Sequence, residues 1–167
     1  MLLDNEAHYN LVRPGMIMYG YESGEGISEK IELKPVAKLK SEITFLKKVK
    51  EGTSISYSRD FITKKESIIA TIPIGYADGF RRCLSNNGQV VIHGQKVPIV
   101  GKVCMDSFMV DVTDLEDVKV GDEVWIWDNE QITLDEIAHQ MNTINYEVIS
   151  TISNRVPRKF KTKDDNF

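Results

Sequence analysis

From Val36 to Leu46 the chain alternates apolar and polar side chains with period two, the pattern of a half-buried antiparallel strand. Strand-like runs then recur at Ser67 to Ile74, Val90 to His93, Val97 to Val100, Cys104 to Val112 and Val124 to Trp127. Turn-forming residues separate them: Asn86-Asn87-Gly88, His93-Gly94 and Lys119-Val120-Gly121-Asp122. Short strands at this spacing predict a β-barrel or a compact sandwich. Only Thr133 to Met141 carries a clear helical period, with Leu134, Ile137, Ala138 and Met141 at i, i+3, i+4 and i+7. Thr133 is its N-cap, and Glu136 completes a capping box. A second short segment, Asn145 to Ser150, follows, and Pro157 ends regular structure before a lysine-rich tail.

Upstream of the strands the pattern changes. Residues 10–19 form a short apolar run interrupted by Arg13 and the Pro14-Gly15 turn signal. Residues 21–30 are rich in Gly, Ser and Glu and read as an exposed linker, which places a boundary near Ile31. The expected division is therefore 1–30, 31–160 as a mainly β domain with one or two short helices, and 161–167 as a tail.

Composition narrows the function classes. With 167 residues, 41% hydrophobic and 28% charged, the chain is long enough for one well-buried core. A formal net charge of -4 supplies no basic face for nucleic acid. Cys83 and Cys104 form no CxxC pair, and His8, His93 and His139 lack metal-ligand spacing, so a reducing compartment and no structural metal are expected. No apolar run approaches 18 residues, and the N-terminus lacks a signal-peptide layout. The start Met1-Leu2-Leu3-Asp4 reads as a cut into a longer polypeptide as much as a natural beginning.

Four stretches interrupt apolar surroundings with glycine or polar chemistry: Val12-Arg13-Pro14-Gly15-Met16, Gly75-Tyr76-Ala77-Asp78-Gly79, Gly101-Lys102-Val103-Cys104-Met105-Asp106, and Thr151-Ile152-Ser153-Asn154-Arg155-Val156-Pro157-Arg158. Tyr76 sits between two glycines with cationic Arg81 and Arg82 nearby, a candidate base or a surface turn tyrosine. Arg13 is either a salt-bridged arginine or a donor aimed at an anion or ring nitrogen.

Together, in order and spacing, these stretches resemble the alanine racemase family over about Tyr9 to Phe160. The resemblance implies the β-barrel-like C-terminal domain of that family, preceded by the last strand of a truncated (β/α)8 barrel. It also implies pyridoxal 5′-phosphate in the full-length enzyme, on a lysine that this chain lacks. The isolated chain is then expected to be inactive. By the same resemblance Tyr76 is the tyrosine base, Arg13 bonds the cofactor's ring nitrogen, and Gly15 and Met16 belong to the phosphate cradle. Met105 presents its N–H to the substrate carboxylate. Because the family's tyrosine reaches into the partner subunit's site, a homodimer is implied. Lys102 and Asp106, flanking Met105, read either as a surface salt-bridge pair at a strand end or as residues with a direct substrate role, shaping the entrance at most, and Asp78 as the residue fixing the turn around Tyr76.

Asn154 departs from the pattern, where most of the family has a tyrosine that bonds the cofactor phosphate and crowds the substrate. Asparagine opens space and offers a donor and an acceptor, pointing to L- and D-serine beside L- and D-alanine as substrates. That resembles the racemase domains of membrane-bound serine/alanine racemases of vancomycin resistance, enzymes serving peptidoglycan precursors. The domain is expected in the cytoplasm, its parent either soluble or anchored through an upstream region. The alternatives are a non-catalytic β-barrel dimerisation module and a barrel-type pyridoxal-phosphate amino-acid decarboxylase.

Overall fold

Nine strands and two helices follow one another in the computed structural model, which describes residues 9–22 and 32–161. The strands are β1 (Leu39–Glu42), β2 (Phe45–Val49), β3 (Ser54–Ile55), β4 (Phe61–Ile62), β5 (Ser67–Ile72), β6 (Gln89–Ile92), β7 (Gln95–Pro98), β8 (Phe108–Asp111) and β9 (Glu123–Trp127). The helices are α1 (Leu134–Gln140) and α2 (Asn145–Thr151). A four-stranded sheet runs β1-β9-β6-β7, a three-stranded sheet β2-β5-β8, and β3 and β4 make a separate hairpin. All pairings are antiparallel, and the Ile99↔Val110 bridge joins the two larger sheets.

The single long strand expected from Val36 to Leu46 is two strands in two sheets. The alternation continues through a corner at Ile43, whose side chain is fully buried. Its N–H donates to the Asp122 carbonyl at 3.0 Å and its carbonyl accepts from the Gly121 N–H at 2.8 Å. A period-two pattern reports which residues face inward but not where the chain changes sheets.

The core lies between the two sheets and α1. It gathers Ile72, Val90, Ile92, Phe108, Val110 and Ile126, with Leu134 and Ile137 from the helix stripe. Phe80 and Phe108 stack with ring centroids 4.6 Å apart. The capping box of α1 forms as the sequence indicates: Glu136 N–H donates to Thr133 Oγ1 at 3.0 Å, and Thr133 N–H to Glu136 Oε2 at 2.9 Å.

The start of the expected linker is part of the packed structure. Tyr21 is buried and its hydroxyl donates to the Ala37 carbonyl at 2.8 Å. Trp127 Nε1–H and Asn129 Nδ2–H converge on the same oxygen, at 3.2 and 2.6 Å. Gly20 allows this approach, since a Cβ there would lie 1.9 Å from the Lys34 carbonyl oxygen. Residues 23–31, with the boundary expected near Ile31, lie outside the described residues.

Between β9 and α1, Asp128 organises a tight loop. Its Oδ1 accepts N–H bonds from Glu130, Gln131 and Ile132, all within 3.0 Å. Burial pushes the Asp128 carboxyl pKa up, but the three N–H donors and nearby Lys38 outweigh it and hold it below its ordinary 3.8. A carboxylate depressed on folding stabilises above its unfolded pKa and loses that contribution as pH falls through the lower folded value. Asp128→Ala is therefore expected to cost about 1–3 kcal/mol at neutral pH. Urea midpoints of wild type and variant should converge only as pH drops below about 4, where the wild type loses the bonds. An unchanged gap at low pH would count against the charge assignment.

Candidate active site

After β5, the backbone of Gly75 passes so close to residues 104–105 that a Cβ would lie 2.3 Å from the Met105 carbonyl oxygen and 2.4 Å from that of Cys104. The Tyr76–Asp78 segment then makes one 3-10 turn. Tyr76 N–H donates to the Cys104 carbonyl and Ala77 N–H to the Met105 carbonyl, both at 3.0 Å. Asp78 does fix this turn, reaching back so that Oδ2 accepts the Gly75 N–H at 2.8 Å. Gly79, at φ 102, closes it against residues 151–152, where a Cβ would lie 2.3 Å from the Thr151 carbonyl oxygen. The Ser153 N–H completes the contact by donating to the Asp78 carbonyl at 2.9 Å.

Three of the four stretches singled out in the sequence thus meet at one place. Tyr76 is 44% exposed there and lines an open pocket with Gly79, Arg81, Arg82, Cys83 and Thr151. Arg81 is engaged by Glu147, Nη2 to Oε1 at 2.6 Å. The Met105 side chain is exposed, and its N–H meets no acceptor among the described residues, which leaves a backbone donor available to an anion. Asn154 is exposed on the neighbouring segment. That segment is braced by Arg158, whose guanidinium donates to the carbonyls of Ile152, Ser153 and Val156.

Lys102 and Asp106 do not pair with each other, so the salt-bridge reading of the two fails. Lys102 pairs with Asp60, and Asp106 with Arg155, whose Nη2 lies 2.6 Å from Asp106 Oδ1. Arg155 Nε also lies 3.3 Å from Asp78 Oδ1. The hydrogen bond to Asp106, with the charges of Asp78 and Asp106, raises the guanidinium pKa further.

The fourth stretch lies against α2. Pro14 leads into a 3-10 helix, Gly15–Tyr19, with Gly15 at φ 62. Met16 is buried and its N–H donates to Tyr146 Oη at 3.4 Å, the hydroxyl that would lie 3.0 Å from a Cβ at Gly15. The N–H of Gly15 meets no acceptor among the described residues, and Arg13 is exposed with no ion-pair partner among them. No hydrogen bond or ion pair joins this cluster to the Tyr76 turn among the described residues.

One residue with chemistry went unread in the sequence. Tyr57 sits in the loop between β3 and β4, 70% exposed. Around it Ser56, Ser58 and Arg59 all hold positive φ, at 64°, 64° and 54°. Such conformations cost non-glycine residues about 1–3 kcal/mol each and persist where surrounding structure enforces them, often at active sites. The enforcing contacts are visible. Ser56 Oγ–H donates to the Lys102 carbonyl at 2.8 Å, Lys102 pairs with Asp60, and Gly101 lets the backbones touch, a Cβ there being 2.7 Å from the Ile55 carbonyl oxygen. The Tyr57 loop and the Tyr76 turn therefore flank the same 101–106 segment. The only sequence signal was a tyrosine in a serine-rich run between two apolar residues, Ile55 and Phe61, with no glycine to mark the turn.

Among the described residues no cluster of His, Cys, Asp and Glu could hold a metal ion, and no helix is long and apolar enough to cross a membrane. Cys83 and Cys104 are free thiols.

Residues 36–160 match the family model described as alanine racemase, C-terminal domain. An alanine racemase of Halothermothrix orenii is 48% identical over 157 residues, which cover 92% of this chain and 41% of that protein. Among solved structures, the alanine racemase of Clostridium difficile 630 in complex with cycloserine superposes with a TM-score of 0.81 at 43% identity, covering 85% of this chain and 38% of that one. The alanine racemase of Bartonella henselae with covalently bound pyridoxal phosphate gives 0.78 at 36% identity, covering 84% and 39%. The chain thus spans about two-fifths of the length of these relatives.

Proposed function

The chain belongs to the alanine racemase family, as its C-terminal domain, and from that premise we propose that its parent is a pyridoxal-phosphate amino-acid racemase to which this domain contributes a proton carrier and the substrate carboxylate donor. The observation that carries the reading is the free Met105 N–H, set on a segment flanked by two tyrosine-bearing loops. The residues expected to hold the cofactor fit it: Arg13 is exposed and unpaired among the described residues, and the Gly15 turn is open where a Cβ would meet Tyr146. When bound, the cofactor supplies an electron sink that acidifies the amino acid's α C–H.

Arg13 brings only donors, so its guanidinium would hold the ring nitrogen by a hydrogen bond without protonating it. The free amide of Gly15 would hold the phosphate, joined by that of Met16 if it gives up its long 3.4 Å contact with Tyr146 Oη, and Asn154 would lie at the substrate side. Inversion requires a proton to leave one face of the α-carbon and return to the other, so two carriers are needed. One is a lysine that the family resemblance places outside this chain, so the isolated domain is inactive.

The other carrier is a tyrosine of this chain. The sequence reading assigned it to Tyr76; the strained, anchored loop and the greater exposure favour Tyr57, with Tyr76 lining the approach. Among the described residues no hydrogen bond or ion pair joins the Arg13 cluster to the Tyr57–Met105 cluster. That separation supports a homodimer in which each subunit lends its tyrosine and Met105 to its partner's site. Residues 1–30 would belong to the end of the barrel and its linker, 31–160 to this domain, and 161–167 to a tail, within a cytoplasmic enzyme making D-amino acids for peptidoglycan.

Asn154 extends the substrate range to serine, as in the serine/alanine racemases of vancomycin resistance. Assayed on L-alanine and L-serine, the full-length protein is expected to racemise both. Asn154→Tyr should lower the serine-to-alanine ratio of kcat/KM by about tenfold or more, the loss of one well-placed polar contact. An unchanged ratio sinks the serine assignment, and a parent that racemises neither substrate sinks the function.

A further inference from the structure

Asp78, Asp106 and Arg155 come from three separate stretches and meet at one guanidinium. Their energetics and their placement point in different directions. The Arg155 and Asp106 side chains are 54% and 59% exposed, and ion pairs in such settings contribute about 0–1 kcal/mol to stability. Asp78, by contrast, is buried, with one oxygen on the Gly75 N–H and the other facing Arg155. Arg155 therefore ties an exposed aspartate next to Met105 to a buried one inside the Tyr76 turn.

The geometry of the segment makes this tie consequential. The carbonyls of Cys104 and Met105 are held by the Tyr76 turn, and the Cys104 N–H by the Ser107 carbonyl at 2.8 Å. The Met105 N–H is the free donor; it shares a peptide plane with the Cys104 carbonyl, which the Tyr76 N–H holds, and the next plane, between Met105 and Asp106, is held at the Met105 carbonyl by the Ala77 N–H and carries the Asp106 side chain at its far end. Asp106 is the next residue, and its side-chain partner across the site is Arg155.

We propose that Arg155 is a positioning residue for substrate recognition, clamping Asp106 against Asp78 so that the Met105 N–H is held aimed at the substrate carboxylate. This rests on the racemase reading given above. Arg155 itself touches neither substrate nor cofactor; its effect passes through Asp106 and the peptide plane beside it. The bidentate reach from Nε and Nη2 to two carboxylates suits a planar guanidinium, and an ammonium on a lysine stem reproduces only part of it.

The test uses the full-length protein with Arg155→Gln, Arg155→Lys, Asp106→Asn and the Arg155→Gln/Asp106→Asn double variant. Arg155→Gln is expected to raise KM for L-alanine about tenfold to a hundredfold, the scale of a misplaced binding group, with cofactor absorbance per subunit and Tm retained. Arg155→Lys should recover part of the loss, and the double variant should be no worse than the worse single one. Hydrogen exchange at residues 104–106 should quicken in Arg155→Gln, a readout independent of turnover. A parent with no racemase activity sinks the functional reading, and the exchange result then decides the clamp alone. With an active parent, an unchanged KM, a Tm loss without a KM change, or single-variant effects that multiply in the double variant would overturn the clamp.

Discussion

Replacing Tyr57 by phenylalanine in the full-length protein is expected to lower kcat for alanine racemisation by about 10²- to 10⁴-fold, the usual contribution of a positioned acid–base group. Phenylalanine keeps the ring and removes only the hydroxyl, and the loop is anchored through Ser56, Gly101 and the Lys102–Asp60 pair, none of which uses the phenol. Thermal stability should therefore change little. The Tyr76→Phe variant should show a smaller loss, expressed mainly in KM, because Tyr76 lines the approach. The two roles separate further in deuterated water. With the tyrosine face silenced, the remaining carrier still exchanges the α-hydrogen of one enantiomer without inverting it, so deuterium enters that enantiomer faster than its mirror image accumulates. Proton NMR reads both rates. If Tyr76→Phe shows this pattern and Tyr57→Phe races on unimpaired, the base is Tyr76, as the sequence reading had it.

The second large effect is structural. Gly75→Ala is expected to destabilise the protein by about 2–4 kcal/mol, combining overpacking with the loss of backbone hydrogen bonds. The cause is contact and not conformation, since φ at Gly75 is -148°, extended backbone that any residue adopts. The new methyl would fall 2.3 and 2.4 Å from the Met105 and Cys104 carbonyl oxygens, backbone atoms that cannot swing aside. Relief requires the Tyr76 turn to lift off, breaking the Tyr76 and Ala77 N–H bonds to that segment and releasing the Met105 peptide with them. Gly52→Ala is the control: it strains a left-handed residue at φ 79 but meets nothing within 4 Å. Urea unfolding should place Gly75→Ala well below Gly52→Ala in stability. Equal losses would mean that the close approach is softer than its geometry implies.

What could be read from the sequence was what local pattern determines. β5 and β8 lie within the runs marked by alternating or continuous apolar residues, β6 and β9 overlap theirs and start one residue earlier, and α1 begins at the capping box formed by Thr133 and Glu136. Three of the four polar interruptions meet at one place because Gly75 and Gly79 let the Tyr76 turn touch the other two, and Asp78 fixes that turn, a need for close approach already written in residue type. What could not be read depends on contacts between distant residues. The corner at Ile43 exists because residues 121–122 arrive to bond it. Lys102 and Asp106 chose partners at Asp60 and Arg155, far off in the chain. The Tyr57 loop was invisible because its strain is held by residues 101–102, while serine and arginine carry no left-handed signature of their own. Tyr21 looked like linker until Ala37 and Trp127 closed over it.

That closure gives the junction a tolerance that no single strong bond would have. The Ala37 carbonyl oxygen has two lone pairs and three donors, from Tyr21, Trp127 and Asn129. Any one of the three can be lost while both lone pairs stay occupied, and the carbonyl is left without a partner only when all three go. The seam between residues 9–22 and the β domain is thus buffered in its hydrogen bonding: a change at Asn129 leaves the carbonyl two donors, while Tyr21 and Trp127, buried in the core, are held in place by packing as well.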